Sequence, residues 1–383
     1  MSTMTKTVDL IYFNAGGGHR SAALALQEVC KTQGRPWAVR LVNLFEVLDP
    51  DGSFRRLTGF APEDLYNLRL RRGWTMGLAT ELKILQGMIR MSHASLVQRL
   101  ERHWKSGRPD LVVSLVPNFI RPIYDSLRPG FGDVRFMTVM TDLADNPPNF
   151  WIEPGLNQRI VCGTPRAFQQ ACDAGYPPSQ ITLVSGMILR PSFYRDGQLD
   201  RTGELRKLGL DPDRPTGLVG FGGHGSSQML KVAKSLEEVQ LILLCGHNEV
   251  LARRLSAQKV KARHVAIGFT PDIERYMSIS DFFIGKPGPG SLSEAVHMRL
   301  PVITFRNAWT MPQERYNTTW VKENNLGIVV SSLRDVQRAT AELLANLPTF
   351  HEATEKISNR AVFEVVDILA QQAMPVRQWA TSL

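Results

Sequence analysis

The sequence predicts an α/β protein with two doubly wound domains, each built on a parallel sheet. Short apolar segments rich in β-branched residues alternate with segments of helical periodicity, and this alternation occurs twice along the chain. A polar, proline-containing stretch, residues 190–215, separates the two series and is interpreted as the linker. A glycine-rich segment also follows the first strand of each series. In such folds ligands bind beyond the carboxyl ends of the strands, so we expect the two domains to face each other across a cleft.

Ten strands are expected in this organisation. Those of the first domain are residues 8–13, 37–44, 110–115, 134–140 and 159–162. Those of the second domain are residues 216–221, 239–245, 264–267, 282–284 and 301–305. Each is bounded by glycine, proline or polar residues and is followed by helical spacing, which is the pattern of consecutive β-α-β units.

The composition indicates a globular protein: 43% of the 383 residues are apolar and 21% are charged. No apolar run reaches the ~18 residues of a membrane-spanning helix, and residues 1–7 are too short and polar for a signal peptide. The four cysteines lack close metal-binding spacing and suggest a reducing compartment, so we expect a cytoplasmic protein. Two Asp-Pro-Asp triplets, at residues 49–51 and 211–213, are typical of turns, and no metal is expected.

The formal charge of +9 is unevenly distributed. Residues 65–105 hold eight Lys or Arg against two Glu, together with many large apolar side chains. A basic amphipathic helix of this kind can lie in the interface of an anionic membrane. The residues assigned to this role are Arg69, Arg71, Arg72 and Trp74. The alternatives are a solvated helix face and a nucleic-acid surface; nucleic acid would explain the charge alone, and we expect none to bind.

The first glycine-rich turn is Gly16-Gly17-Gly18-His19. It departs from the dinucleotide fingerprint G-x-G-x-x-G, because Arg20 and Ser21 follow His19 and the third glycine is missing. NAD binding is therefore disfavoured. His19 is either a helix N-terminal residue without a task or a catalytic group at the mouth of the cleft.

Two glycine-rich segments of the second domain suit a phosphate. The first, residues 220–227, includes Gly223, His224, Gly225 and Ser226 and precedes a helix. The second, residues 285–295, offers Lys286 and the backbone amides of residues 288–291. Glu294 stands three residues after Ser291, so it completes a capping box or binds two sugar hydroxyls. Further on, residues 312–317 crowd polar side chains at a helix start.

The ordered combination of GGGHR, the second-domain glycine loop, KPGPGSLSEA and PQERYN resembles glycosyltransferase family 28. Within it, the chain looks most like the branch of monogalactosyldiacylglycerol synthases and diacylglycerol glucosyltransferases. The resemblance implies the GT-B fold, in which two Rossmann-like domains face each other across a cleft. It also implies a first domain of residues 1–190 that the C-terminal helix, residues 364–383, rejoins, and a nucleotide-sugar-binding domain of residues 191–363.

The resemblance further implies roles for individual residues toward a UDP-sugar, which is a substrate rather than a cofactor. Glu294 would bind the ribose hydroxyls, and Phe269 would lie beside the uracil. The diphosphate would be held by Gly223, His224, Gly225, Ser226, Lys286, Gly288, Pro289, Gly290 and Ser291. The sugar contacts would be Gln313, Glu314 and Asn317, and Gly17 and Gly18 would lie on the acceptor side.

Glycosyl transfer needs a stabilised leaving diphosphate, a base for the acceptor hydroxyl and a dry cleft. His19 would then be the base, acting from the face opposite the leaving group, so we expect inversion. Asp142 is the alternative: it orients His19, acts as the base itself, or merely caps a helix.

The expected activity is hexose transfer from a UDP-sugar to a lipid hydroxyl, that of diacylglycerol, by an enzyme bound to the inner face of the plasma membrane. A transferase to a soluble acceptor, a nucleotide-sugar epimerase and a non-catalytic lipid-binding module remain alternatives.

Overall fold

The computed structural model describes residues 6–14, 17–52, 56, 78–195, 197 and 199–373, and gives no side-chain environment for residues 78–81 and 373. The described residues form two compact units, one made of residues up to 191 together with residues 360–373, the other of residues 192–359. Each unit is built on one six-stranded parallel sheet. The predicted α/β class is confirmed.

The first unit begins with β1 Lys6–Tyr12, α1 Gly18–Thr32, β2 Trp37–Asn43 and α2 Leu44–Leu48. Two helices, α3 Leu78–Met91 and α4 His93–Ser106, precede β3 Leu111–Ser114. The rest of this series is α5 Ile120–Ser126, β4 Arg135–Val139, β5 Arg159–Cys162, α6 Pro165–Asp173 and β6 Ile181–Leu183. Its strand order is β2-β1-β3-β4-β5-β6.

The centre of the first sheet is covered on both faces, as parallel sheets require. Even Asp9 on β1 is fully buried. Its charge is compensated there because Arg40 on the neighbouring strand donates to both of its carboxylate oxygens, at 2.6 and 2.7 Å. Trp104 of α4 is also fully buried, and its indole nitrogen donates to Ser126 Oγ at 2.9 Å. These contacts fix β1 against β2 and α4 against α5.

The second unit contains α7 Arg201–Lys207, β7 Thr216–Gly220, α8 Gln228–Ser235, β8 Gln240–Gly246, α9 Glu249–Ser256, β9 His264–Gly268, α10 Ile273–Ser278 and β10 Phe282–Gly285. It continues with α11 Pro289–His297, β11 Val302–Phe305, α12 Arg315–Glu323, β12 Gly327–Val330, α13 Val336–Ala345 and α14 Leu347–Glu355. Its strand order is β12-β11-β10-β7-β8-β9.

The last helix, α15 Ala361–Ala373, belongs to the first unit. The Glu364 carboxylate accepts the backbone N–H of Ser185 at 2.7 Å, and Ser185 Oγ accepts the backbone N–H of Arg360 at 2.7 Å. Arg35, just after α1, forms an ion pair with Asp367. These contacts attach the returning helix to the first unit.

Two expectations about the elements need correction. The edge strands β6 and β12 were not predicted, and the stretch 190–215 is not a simple linker. It contains a 3-10 turn, Pro191–Tyr194, and the helix α7, whose N-cap Asp200 accepts the backbone N–H of Gly203 at 3.0 Å. All ten predicted strands are present, with ends within two residues of the observed ones. Among the residues that the structure describes, none of the helices has the length and apolar character needed to span a bilayer.

Candidate functional site

The predicted base, His19, lies at the carboxyl edge of the first sheet, where the strand order reverses. β1 is followed by β2 on one side and by β3 on the other, and such a switch point opens a crevice beyond the strand ends. His19 is the second residue of α1, the helix that follows β1. Leu115 directly follows β3 and Thr141 lies just after β4, and both form hydrogen bonds with His19. Three strand ends therefore meet at this side chain.

The His19 ring is held from several sides. Its Nδ1 lies 2.9 Å from Thr141 Oγ1, and its centroid lies 6.2 Å from the Phe13 ring and 5.9 Å from the Trp151 ring. Part of its surface remains accessible, yet the dense protein around it lowers its pKa to about 4, although a hydrogen bond with the Leu115 backbone opposes this shift. The imidazole is therefore neutral at pH 7.

The turn before His19 depends on glycine. Gly17, the N-cap of α1, has φ of 83°, a left-handed conformation that glycine adopts without a steric penalty. Among the described residues, no atom lies within 4 Å of a Cβ built at Gly17 or Gly18, so the described backbone here is open to a ligand. Glycine is needed at residue 17 for its conformation rather than for space inside the protein.

Asp142 is buried beside His19, and its carboxylate accepts the Trp151 indole N–H at 2.8 Å. Residues 141–150 contain no helix, so the interpretation of Asp142 as a helix cap is wrong. Trp151 contacts both groups, because its ring lies against His19 and its N–H bonds to Asp142. Sequence reasoning missed Trp151, since nothing in its local pattern marks it.

The remaining residues assigned to the membrane, Arg69, Arg71, Arg72 and Trp74, lie outside the described residues. Their predicted role stays a prediction. The described part of that segment includes α3 and α4.

In the second unit the two glycine-rich loops meet at the switch point of the second sheet. Residues 221–227 follow β7 and residues 286–288 follow β10, and these two strands are neighbours. Gly222 and Gly225 have left-handed backbones, with φ of 86° and 57°. A Cβ at Gly222 would lie 3.7 Å from Lys286 Cε, and one at Gly288 would lie 3.4 Å from the same atom. The Lys286 side chain therefore lies against backbone of both loops.

Lys286 is ion-paired within the site. Its Nζ lies 3.0 Å from Glu314 Oε1, and Glu314 is almost fully buried. Asn317 is fully buried, and its amide nitrogen donates to the Pro287 carbonyl at 2.8 Å. Its Oδ1 has no hydrogen-bond partner in the part of the chain that the structure describes. Both side chains therefore contact the second loop, Glu314 through Lys286 and Asn317 through Pro287. Their expected contacts with a sugar remain predictions.

The second loop leads directly into α11, but without the predicted capping box. The helix begins at Pro289 with Gly288 as N-cap, and no side chain bonds to the cap. Ser291 is already the third helical residue, so the capping-box interpretation of Ser291 and Glu294 is wrong. Pro289 has no N–H, and the amides of Gly290 and Ser291 belong to the first turn, which leaves them available to an anion. Glu294 is half-buried one turn further along.

Two other predicted contacts lie around these loops. Gln313, in the 3-10 turn Pro312–Glu314, is half-buried, and its amide nitrogen lies 3.7 Å from Met311 Sδ. Phe269 follows β9, exposes 62% of its surface and stacks on His247. His247 was missed by sequence reasoning, although it follows β8 directly.

No metal site is evident in the described parts of the chain, where no three His, Cys, Asp or Glu side chains gather closely enough to hold an ion. Asp211 forms a turn, because its carboxylate accepts the backbone N–H of Asp213 at 3.0 Å. That the reaction needs no metal stays a prediction.

Comparison with known proteins supports the family resemblance seen in the sequence motifs. Residues 221–370 match the glycosyltransferase family 28 C-terminal domain. The chloroplastic monogalactosyldiacylglycerol synthase of Spinacia oleracea is 29% identical over 98% of this chain and 74% of its own length. Monogalactosyldiacylglycerol synthase 2 of Arabidopsis thaliana is 27% identical over 97% of this chain and 82% of its own length.

The fold is shared with solved structures of low sequence identity. MurG of Acinetobacter baumannii superimposes with a TM-score of 0.61 at 13% identity, covering 96% of this chain and 99% of that one. The UDP-GlcNAc 2-epimerase of Neisseria meningitidis gives 0.60 at 14% identity, covering 95% and 100%. The predicted GT-B fold and the resemblance seen in the sequence motifs are confirmed. Residues 221–370 therefore form a glycosyltransferase family 28 C-terminal domain, and the chain is similar over nearly its whole length to the monogalactosyldiacylglycerol synthases, which supports a hexosyltransferase of the glycolipid-synthase type.

Proposed function

We propose that this enzyme transfers a hexose from a UDP-sugar to the free hydroxyl of diacylglycerol, with inversion at the anomeric carbon, at a membrane surface. The observation that carries the donor half is the meeting of two glycine loops at the switch point of the second sheet. The acceptor half is supported by relatives whose names denote diacylglycerol glycosylation and which match nearly the whole chain.

The second unit binds the donor in this proposal. The open amides at the start of α11 and the glycine-rich loop after β7 hold the diphosphate as its negative charge grows on departure. The Lys286 ammonium adds a cation whose position Glu314 fixes. The Glu294 carboxylate takes ribose hydroxyls, and the exposed Phe269 ring stacks on the base.

The first unit supplies the base. An alcohol is too weak a nucleophile at neutral pH, so a positioned group must take its proton as the C–O bond forms. The neutral His19 imidazole accepts that proton, and Thr141 fixes the plane of the ring through Nδ1. Asp142 accepts the Trp151 indole N–H and so holds the ring that lies against His19.

Membrane docking is supported by the exposed face of α3. Ile84, Met88 and Met91 recur at helical spacing and expose 57%, 53% and 90% of their surfaces. Lys83 and Arg90, seven residues apart and both exposed, flank this apolar stripe. An apolar stripe beside a basic one suits the interface of an anionic bilayer. We place the enzyme peripherally on the inner face of the plasma membrane.

Docking matters because diacylglycerol cannot leave the bilayer cheaply. Transfer of each buried CH₂ to water costs about 0.8 kcal/mol, so the enzyme must come to the lipid. This argument separates a lipid acceptor from a soluble one, for which an exposed apolar helix face would have no use.

The test is incubation with a panel of UDP-sugars and vesicles that contain diacylglycerol and anionic phospholipid, with lipid products resolved and their anomeric configuration determined. A glycolipid whose anomeric configuration is opposite to that of the donor is expected. Transfer to a water-soluble alcohol with none to vesicles would contradict the lipid acceptor. Conversion of the UDP-sugar to its epimer without acceptor would instead indicate an epimerase.

A further inference from the structure

Two aromatic rings lie stacked and exposed at the carboxyl edge of the second sheet. His247 follows β8 and Phe269 follows the neighbouring strand β9. Their ring centroids are 4.0 Å apart, and the rings are within 15° of parallel. Phe269 still exposes 62% of its surface although His247 covers one of its faces. The other face of Phe269 is therefore open.

The backbone of His247 is attached to the first glycine loop. Its N–H donates to the Gly223 carbonyl at 3.0 Å. Gly246, with φ of 56°, is packed so closely that a Cβ there would lie 2.0 Å from the same oxygen. The turn after β8 thus holds the His247 ring at a set distance from the loop expected to receive the diphosphate, and the His224 ring of that loop lies 6.0 Å away.

We infer that His247 is a positioning residue for the donor nucleobase: it covers one face of Phe269 and holds that ring so that its open face stacks on the pyrimidine. This inference rests on the proposed UDP-sugar donor. A lone exposed phenylalanine would exchange among its rotamers, and stacking on a base would then cost side-chain conformational entropy. A ring already stacked on His247 has lost that freedom before the nucleotide arrives.

The experiment compares variants of residue 247 by titration with UDP, UMP and inorganic pyrophosphate. His247→Ala keeps the backbone N–H that bonds to Gly223, so it removes only the ring. We expect it to weaken UDP and UMP binding by about two- to tenfold, the range of one aromatic pair, and to leave pyrophosphate affinity unchanged. His247→Phe should restore the affinity, because a flat ring is retained, whereas His247→Leu should not. His351→Ala, on α14, is the matched control and should bind all three like the wild type.

The inference is overturned if UDP and UMP affinities are unchanged in His247→Ala, or if pyrophosphate affinity falls by the same factor, which would indicate general damage to the loop. Rescue by leucine as effective as rescue by phenylalanine would also contradict it. Failure of the proposed function has a different signature: the unaltered enzyme would then bind no UDP at all.

Discussion

Replacing His19 by alanine tests whether the first unit supplies the base. A general base contributes about 10²- to 10⁴-fold to the rate, so turnover on diacylglycerol should fall at least 10²-fold. UDP-sugar affinity should be nearly unchanged, because the base acts mainly in the transition state. Thr141→Val is the graded variant: it removes the partner 2.9 Å from Nδ1 and should cost about three- to tenfold.

The pH dependence follows from the same side chain. The pKa of His19 is lowered to about 4 by burial, against about 6.5 in the unfolded chain. Between these values the unfolded chain binds more protons, so the folded state loses stability as the pH falls. From pH 7.5 to 5 the loss reaches up to about 2 kcal/mol, at about 1.36 kcal/mol per pKa unit, with partial exposure reducing it.

The assay is urea unfolding at both pH values, for the wild type and His19→Ala, together with kcat/KM against pH. Burial also lowers the pKa of three other histidines, His103, His264 and His297. The quantity to compare is therefore the loss of unfolding free energy in the wild type minus that in His19→Ala. The wild type should lose more stability than the variant, and its acid limb in kcat/KM should lie near 4. Turnover of the variant within a few-fold of the wild type would refute the role of His19 and move it to Asp142. An acid limb near 6.5 would instead refute the lowered pKa of His19, because that is the ordinary pKa of a histidine.

Three further substitutions test other parts of the site. Trp151→Phe removes the donor to the buried Asp142 carboxylate and should lower the unfolding free energy by about 1–3 kcal/mol in denaturant titrations; equal stability would show that another donor replaces the indole. Glu294→Ala should weaken UDP binding by about 1.5–3 kcal/mol in calorimetry, and unchanged affinity would exclude a ribose contact. Lys83→Glu with Arg90→Glu should reduce flotation with anionic vesicles and the salt sensitivity of binding, with UDP affinity retained; flotation equal to that of the wild type would mean that α3 is only a solvated surface.

Much of the fold could be predicted because its signals are local. A central parallel strand such as β1 or β10 is covered on both faces, so it is a short apolar run between helical patterns. The two edge strands that were not predicted lack this signal: β6 has only three residues and one of them is exposed, and β12 is only partly buried. The helix α7 was missed for a different reason, since it is short and polar and lies among prolines.

The glycine loops and the residues around them could be located from the sequence for the same local reason. Glycine after a strand marks a tight turn, and a helix start offers open amides wherever it occurs. The ordered motifs indicated a resemblance to glycosyltransferase family 28, and the comparisons support it. The predicted capping box was wrong because it placed the start of α11 too late: the helix begins at Pro289, two residues before Ser291. Proline is favoured at the first position of a helix.

What the sequence alone determined is therefore the succession of strands, helices and glycine loops, together with the family resemblance that their motifs carry. Only the tertiary structure decided which side chains meet: Thr141 stands 122 residues from His19, and Asn317 lies buried beneath a loop 30 residues earlier in the chain. The physical reason is that local patterns depend on neighbouring residues, whereas the meeting of His19, Leu115 and Thr141 depends on β1, β3 and β4 lying side by side in the sheet. That order is set by packing over the whole unit, and the low pKa of His19 follows from it.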